Sequence, residues 1–173
     1  MRLIGFYLLY PTHFKFITYL VFVTNIFIIM TESKNKPTTA FWIIGIAALI
    51  WNLMGVFAYL QQAYMTAEDL AALPPEQQAL YENVPAWVTG AFALAVFGGA
   101  LGCILLLLRK KLATFVLIIS FIGILAQMTY NFFISKAMEV YGPGEMIMPA
   151  MVIIVGAFLI WYSKKMQAEG ILS

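Results

Sequence analysis

The sequence predicts an all-α integral membrane protein, a four-helix bundle with two short helices in its first outer loop. Of its 173 residues, 63% are hydrophobic and 10% are charged, and the mean hydropathy is +0.90. Soluble domains contain about 45–50% apolar and about 25% charged residues. With a net charge of +2 and one cysteine, neither nucleic-acid binding nor an internal disulfide is expected.

Four apolar stretches are long enough to cross a bilayer, which takes about 20 residues. They are residues 41–62, 86–108, 112–134 and 147–163, and Pro149 stands near the start of the last. Proline is tolerated in the first turn of a helix because its missing N–H has no intrahelical partner there. Residues 30–173 are therefore predicted to form one four-span membrane domain.

Basic residues predict the orientation, because cytoplasmic loops retain lysine and arginine. One side of the spans holds Lys34, Lys36, Arg109, Lys110, Lys111, Lys164 and Lys165, and the other holds Lys136 with Glu68, Asp69, Glu76, Glu82, Glu139 and Glu145. Both ends of the four-span unit are thus expected to be cytoplasmic. Phe41, Trp42, Trp161 and Tyr162 are expected at the inner membrane interface and Trp87 at the outer one.

Residues 1–29 differ in composition from the rest of the chain. They contain no Ala, Asp or Glu, whereas the other 144 residues contain 20 alanines. Three interpretations stay open: a mis-assigned start ahead of Met30, an extra N-terminal helix, and a signal or anchor sequence. Lys15 and the lack of a small-residue cleavage site speak against a signal sequence.

The first outer loop, residues 63–85, carries helix-start signals. Thr66 and Asp69 have the spacing of a capping box, and Pro75 followed by Glu76 favours the start of a second helix. The two short helices either simply connect the spans or act as a lid with a gating or binding role.

Neutral polar residues form one helical stripe in each of two spans. The first span has Asn52, Tyr59 and Gln62 with Gly55 at helical spacing and Gln61 beside them; the third has Ser120, Gln127, Tyr130 and Asn131 with Gly123. An amide in hydrocarbon needs a hydrogen-bond partner, so these residues are expected to face the bundle interior. If the two stripes face each other, they form a polar seam. The seam serves either as interhelical hydrogen bonding or as a cavity for a neutral solute, with Trp51, Tyr59 and Tyr130 as its walls.

Small residues in the second span predict close helix packing. Gly98 and Gly102 form a G-x-x-x-G pair, and Gly90 lies two turns earlier. Gly156 of the fourth span is a further candidate to face the same seam. Such residues let helix backbones approach closely. Packing within the chain is favoured over homodimerisation.

The spans lack the residues of intramembrane catalysis. No Asp, Glu, Lys, Arg or His falls within them, His13 lies in the leader, and Cys103 stands alone and is read as a small buried hydrophobe. Ion-coupled pumps, metal sites and nucleophilic catalysis therefore lack support. No enzyme activity, cofactor or metal is expected.

Several motifs carry a resemblance to a known group of proteins. They are residues 41–45, 51–55, 85–89, 97–103, 109–111, 141–144 and 161–165. Over roughly residues 30–173 the chain resembles small, uncharacterised four-span bacterial membrane proteins that often carry the automatic label "sugar transporter". The resemblance implies a bacterial inner membrane and no known site residues.

Two functions remain open. One is a small permease-like protein that transports a neutral solute such as a sugar and needs a homo-oligomer to enclose a path. The other is a non-catalytic accessory or structural membrane protein that packs against a membrane-protein partner. The lipid bilayer is expected to surround either one.

Overall fold

Long apolar helices dominate the computed structural model, which describes residues 36–82, 84–135, 140 and 147–173. The helices are α1 (Thr39–Ala63), α2 (Ala67–Ala71), α3 (Pro75–Glu82), α4 (Ala86–Leu107), α5 (Leu112–Phe133) and α6 (Ile147–Ala168). The leader, residues 1–29, lies outside the described residues, as do Lys34, Lys136, Glu139 and Glu145.

Helices α1, α4, α5 and α6 have the length and composition of membrane spans. Their large apolar side chains remain exposed on the outer faces, among them Ile43, Phe57, Phe115 and Ile154, each more than 60% exposed. Water would disfavour so much exposed apolar surface, whereas the hydrocarbon of a bilayer accommodates it. Over the described residues the fold is all-helical, and its four apolar spans are those of a multi-pass membrane protein, as the composition predicted.

The bundle order follows the chain. Helix α1 packs on α4, α4 packs most extensively on α5, and α5 packs on α6. Residues 109–111 and 164–165 lie at one end, called the basic end, and the loop that contains α2 and α3 lies at the other, called the acidic end.

Helix α1 begins where the sequence supplies a cap. The Thr38 hydroxyl accepts a hydrogen bond from the Phe41 N–H at 3.3 Å, which satisfies one of the N–H groups that lack an intrahelical partner. Of the four spans, α1 is the least buried within the protein. In its most apolar stretch 6% of the residues are buried, against 39% in both α4 and α5.

The two short helices of the first loop are both present. At α2 the Thr66 hydroxyl accepts from the Asp69 N–H and the Asp69 carboxylate accepts from the Thr66 N–H, which completes a capping box. Helix α3 begins at Pro75, with Glu76 in its first turn. The local signals that predicted both helices are thus visible as hydrogen bonds and helix starts.

The fourth span is longer than the sequence indicated. Its helix extends to Ala168, five residues beyond the predicted end at residue 163. Lys164 and Lys165 ended the apolar stretch but not the helix, because lysine is a good helix former and its long side chain reaches polar surroundings from a helix end.

A short segment after α6 folds back onto the bundle, which the sequence did not reveal. Gly170 adopts a left-handed conformation with φ of 71°, and the chain reverses there. Ile171 and Leu172 are then buried, at 4% and 1% exposure. They join a cluster at the basic end with Phe41, Leu106, Ala113, Tyr162 and Met166.

This cluster corrects one expectation about aromatic residues. Phe41 and Tyr162 were predicted at the membrane interface, but both are buried, at 0% and 6% exposure. Trp42 and Trp161 are exposed. The difference arises because each buried ring faces the neighbouring spans and the folded-back segment.

Candidate functional site

Asn52 is the most engaged of the predicted polar residues. Its Nδ2 donates to the Ala48 carbonyl at 2.8 Å, one turn back in α1, and to Cys103 Sγ on α4 at 3.4 Å. Cys103 is completely buried. The amide therefore links α1 to α4 in the middle of the bundle.

Ser120 supplies the matching polar group on α5. Its hydroxyl donates to the Ala95 carbonyl of α4 at 2.6 Å, and the residue is only 3% exposed. Asn52 and Ser120 line one small pocket of about 30 Å³ together with Trp51, Gly99, Leu117, Ile124, Val152, Val155, Gly156 and Leu159. This volume is about that of one water molecule, so the centre of the bundle is nearly filled.

Glycine makes this meeting possible. A Cβ built on Gly99 would collide with Asn52 Oδ1 and would lie 3.3 Å from Ser120 Oγ. The absence of a side chain at Gly99 thus lets both polar residues approach α4 at the same place.

The predicted packing glycines serve contacts within the chain, with one exception. A Cβ on Gly98 would meet Ser120 Cβ at 3.1 Å, one on Gly102 would meet Leu117 Cδ2 at 2.6 Å, and one on Gly156 would meet Phe121 Cδ2 at 2.8 Å. A Cβ on Gly123, named in the stripe of the third span, would lie 2.8 Å from the Ala91 carbonyl oxygen. Gly90 faces open space.

The two polar stripes do not form one continuous seam. Helix α4 packs on both α1 and α5, so the stripes meet only where Gly99 leaves room. Toward the acidic end, Tyr59 and Gln62 face a separate and larger cavity. The structure therefore divides the predicted residues between a central pocket and this acidic-end cavity.

The acidic-end cavity is larger than the central pocket and also carries polar groups. Its volume is about 440 Å³, and its lining consists of Tyr59, Gln62, Ala63, Met65, Thr66, Ala67, Leu70, Tyr81, Val84 and Thr89. These residues come from the end of α1, both loop helices and the start of α4. None of the described lining residues carries a charge.

Aromatic contacts fix one wall of the cavity. The Tyr59 ring meets Phe92 and Phe97 of α4 edge-on, with ring centroids 5.4 and 5.5 Å away. Such edge-to-face pairs are favourable beyond their buried area. These two contacts fix the position of the Tyr59 ring.

The capping box of α2 fixes the part of the cavity wall that α2 supplies. Thr66 Oγ1 donates to the Asp69 carboxylate at 2.6 Å, and the Thr66 N–H donates to the same oxygen at 3.0 Å. Both bonds favour the charged carboxylate, so they hold the pKa of Asp69 below its ordinary value of 3.8. Asp69 stays ionised at neutral pH and pins the α2 start that carries Thr66, Ala67 and Leu70.

The remaining predicted residues lie away from this cavity. Gln61 is exposed, although it neighbours Gln62, and Gln127 and Asn131 are half-buried on α5. Tyr130 packs edge-on against Trp87 with ring centroids 5.7 Å apart, which joins α5 to α4 at the acidic end.

Sequence reasoning missed several cavity residues. Thr89 carries the one hydroxyl of the second predicted span. A single polar residue among apolar neighbours is a signal for a polar contact, but it forms no helical stripe. Met65 and Val84 gave no such signal, because their apolar side chains are ordinary in a loop that covers span ends.

Among the described residues, no group of three or more His, Cys, Asp or Glu side chains is arranged to hold a metal ion. Comparisons with protein-family models, curated proteins and solved structures found no match to this chain. The fold and the site together define a small helical membrane protein with four apolar spans and a neutral polar cavity at one end.

Proposed function

We propose that this protein binds a small, neutral, hydrogen-bonding solute such as a sugar in the acidic-end cavity, as the capture step of a permease-like transporter. The single observation that carries the proposal is the cavity of about 440 Å³ lined by neutral polar and aromatic side chains. Ligand sites in proteins commonly enclose about 300–1,000 Å³ and combine apolar walls with a few polar groups.

The chemistry of the lining favours a neutral ligand. The amide of Gln62 and the hydroxyls of Tyr59, Tyr81 and Thr89 offer both donors and acceptors. The described lining has no charged group to pair with an ion, and an unpaired ion in such a place would lose its hydration without compensation. A polyol or sugar matches these groups, because it carries several hydroxyls and no charge.

Transport requires more than the cavity in one chain. Toward the basic end the interior is filled by Ala48, Cys103, Leu117 and Leu159 and their neighbours, and then by the cluster that includes Leu172. A solute therefore passes only if the spans rearrange or a second copy supplies part of the path. Alternating exposure of one site to the two sides is the usual solution in transporters.

The first experiment tests binding. Purified protein in detergent is titrated with a panel of neutral sugars and polyols, and binding is followed by isothermal calorimetry. Gln62→Leu is expected to weaken binding about three- to tenfold, the worth of one hydrogen bond. Gln61→Leu is the matched control, because Gln61 is the exposed neighbour, and it should bind like the unaltered chain. Equal losses in both variants would contradict the proposed site.

The second experiment tests transport separately. Uptake of the labelled solutes that bind is measured in vesicles containing the purified protein. Saturable uptake that needs a higher solute concentration in Gln62→Leu supports a permease, whereas binding without uptake leaves a binding protein. No binding and no uptake across the panel would reject the proposal.

A non-catalytic accessory role is the second candidate, and one observation favours it. Helix α1 packs on α4 but is the least buried of the four spans, so its exposed apolar face is open to a second copy or to another membrane protein. A photo-crosslinking residue at Phe57, which is 63% exposed, is expected to capture protein in the native membrane if this role is right. Crosslinks to lipid alone would argue against it.

A further inference from the structure

The basic end brings together charges that the sequence keeps far apart. The Ser173 N–H donates to the Arg109 carbonyl at 2.7 Å, and the Lys111 N–H donates to the Ser173 carbonyl at 3.3 Å. Arg109 Nε donates to the Ile171 carbonyl at 3.1 Å. The α4–α5 turn is therefore held against the segment that follows α6.

A second set of hydrogen bonds joins α5 to α6 inside the bundle. The hydroxyls of Thr114 on α5 and Ser163 on α6 are hydrogen-bonded to each other, and the Thr114 hydroxyl also donates to Gln167 at 3.3 Å. Lys110 and Lys111 precede Thr114 by one turn, and Lys164 follows Ser163 directly. The tertiary structure thus collects the lysines of the turn and of α6 at one place.

The charge of this place is strongly one-sided. Lys110, Lys111, Lys164 and Lys165 are all exposed, and among the described residues the one ion pair that they form joins Lys165 to Glu169 at 3.9 Å. Helix α5 begins at this end with no acidic residue in its first turn, but α4 and α6 end here, so the lysines rather than the helix dipoles supply the positive field.

The surface next to these lysines is apolar. Leu112 and Phe115, one turn along α5, are 56% and 61% exposed. Trp161 is 56% exposed, and Lys165 Nζ lies 5.6 Å from the centre of its ring. The lysine cations match the phosphate headgroup of a phospholipid, and the Trp161 ring matches the membrane interface. The apolar side chains match the acyl chains.

We propose that the basic end binds the headgroup of an anionic phospholipid between the α4–α5 turn and the end of α6. The lysines attract the phosphate, and Phe115 and Leu112 contact the acyl chains. This inference is independent of the solute site, which lies at the acidic end.

Tryptophan quenching by brominated lipids tests the proposal. One variant keeps Trp161 as the only tryptophan, and a matched control keeps Trp87, which is similarly exposed at 51% but belongs to the acidic end. Each is placed in vesicles of phosphatidylcholine with a fixed fraction of either brominated phosphatidylglycerol or brominated phosphatidylcholine. Brominated phosphatidylglycerol is expected to quench Trp161 more strongly than brominated phosphatidylcholine does. The two lipids should quench Trp87 equally.

Charge variants sharpen the result. Each lysine near an anionic lipid surface strengthens attraction by a factor of about five, so Lys164→Gln with Lys165→Gln should weaken the lipid preference by roughly twenty-five-fold. Lys164→Arg with Lys165→Arg should retain it, and high salt should reduce it in the unaltered chain. Because the salt titration needs no lysine variant, a misfolded glutamine variant would not block the test.

Three results would overturn the proposal. Equal quenching of Trp161 by the two lipids would show no preference, and an equal excess at Trp87 would show general attraction rather than a site. Loss of the excess on addition of soluble glycerol phosphate would show a site for free phosphate esters rather than for membrane lipid.

Discussion

Asn52 Nδ2 lies 3.4 Å from Cys103 Sγ, so an amide of α1 and a thiol of α4 connect two spans in the middle of the bundle. The sequence indicated a polar role for the first residue and a purely apolar one for the second. In the structure the buried thiol also accepts a hydrogen bond, because the amide has few other partners at that depth.

Replacement of Asn52 by leucine should destabilise the bundle modestly. Interhelical hydrogen bonds in membranes contribute about 0.6 kcal/mol each on average, so we expect a loss of roughly 1 kcal/mol or less in the free energy of unfolding. Gln127→Leu is the matched control and should change it by less, because Asn52 donates hydrogen bonds to Ala48 and Cys103, whereas the Gln127 side chain makes no such bond among the described residues. Unfolding in mixed detergent micelles measures both, and a larger loss for Gln127→Leu would contradict the central role of Asn52.

Addition of a methyl group at Gly99 should be costly. The new Cβ of Gly99→Ala would collide with Asn52 Oδ1, and overpacking of this kind costs about 1–3 kcal/mol. Gly90→Ala should be neutral or stabilising, because Gly90 faces open space and alanine is the better helix former. Thermal unfolding compares the two variants.

A double variant isolates the cause at Gly99. If the collision with Asn52 explains the loss, Gly99→Ala combined with Asn52→Ala should lose less stability than the two single losses predict when added. Simple additivity would place the cause elsewhere.

Acidification should loosen the start of α2. The pKa of Asp69 is lowered by its hydrogen bonds to Thr66, so its contribution is fully present above the unfolded value of 3.8 and is lost as pH falls through the folded pKa. Hydrogen exchange at residues 67–71, corrected for the intrinsic rate at each pH, should therefore quicken below about pH 4.

The variant Asp69→Asn is the control for this pH effect. It lacks the titrating carboxylate, so exchange at residues 67–71 should be faster at neutral pH and should change little on acidification. An unchanged pH response in this variant would assign the effect to another group.

Truncation of Leu172 should destabilise the basic end. Leu172 is 1% exposed in the cluster with Phe41 and Tyr162, and Leu→Ala changes in packed cores cost about 2–5 kcal/mol. We expect Leu172→Ala to fall near the lower bound, since a chain segment next to a reversal can partly relax. Leu112→Ala, at 56% exposure, should cost far less, and equal losses in thermal unfolding would contradict the burial of Leu172.

Local chemistry explains which features could be predicted from the sequence. The spans follow from length and hydropathy, because a bilayer demands about 20 apolar residues whatever the neighbouring helices do. The starts of α2 and α3 follow from Thr66, Asp69 and Pro75, since capping bonds and the fixed φ of proline act within one helical turn.

The candidate site was only partly predictable. Asn52, Tyr59 and Gln62 share one helical face, which their spacing in the sequence reveals. Spacing along one helix does not specify which other helix packs against that face. Helix α4 lies against α1, so Tyr59 meets Phe92 and Phe97 rather than a residue of α5. Thr89 and Tyr81 join the cavity for the same reason.

By itself the sequence determined that this is a helical membrane protein with four apolar spans and uncharged span interiors, because those properties depend on composition and on contacts within a few residues. Only the tertiary structure decided that Asn52 meets Cys103, that Ile171 and Leu172 fill the basic end, and that the lysines of two distant elements gather there. Each of these depends on which helix faces meet and on how closely glycines such as Gly99 let them approach. That choice is made by packing between helices, whose energy resides in pairs of residues far apart in the chain.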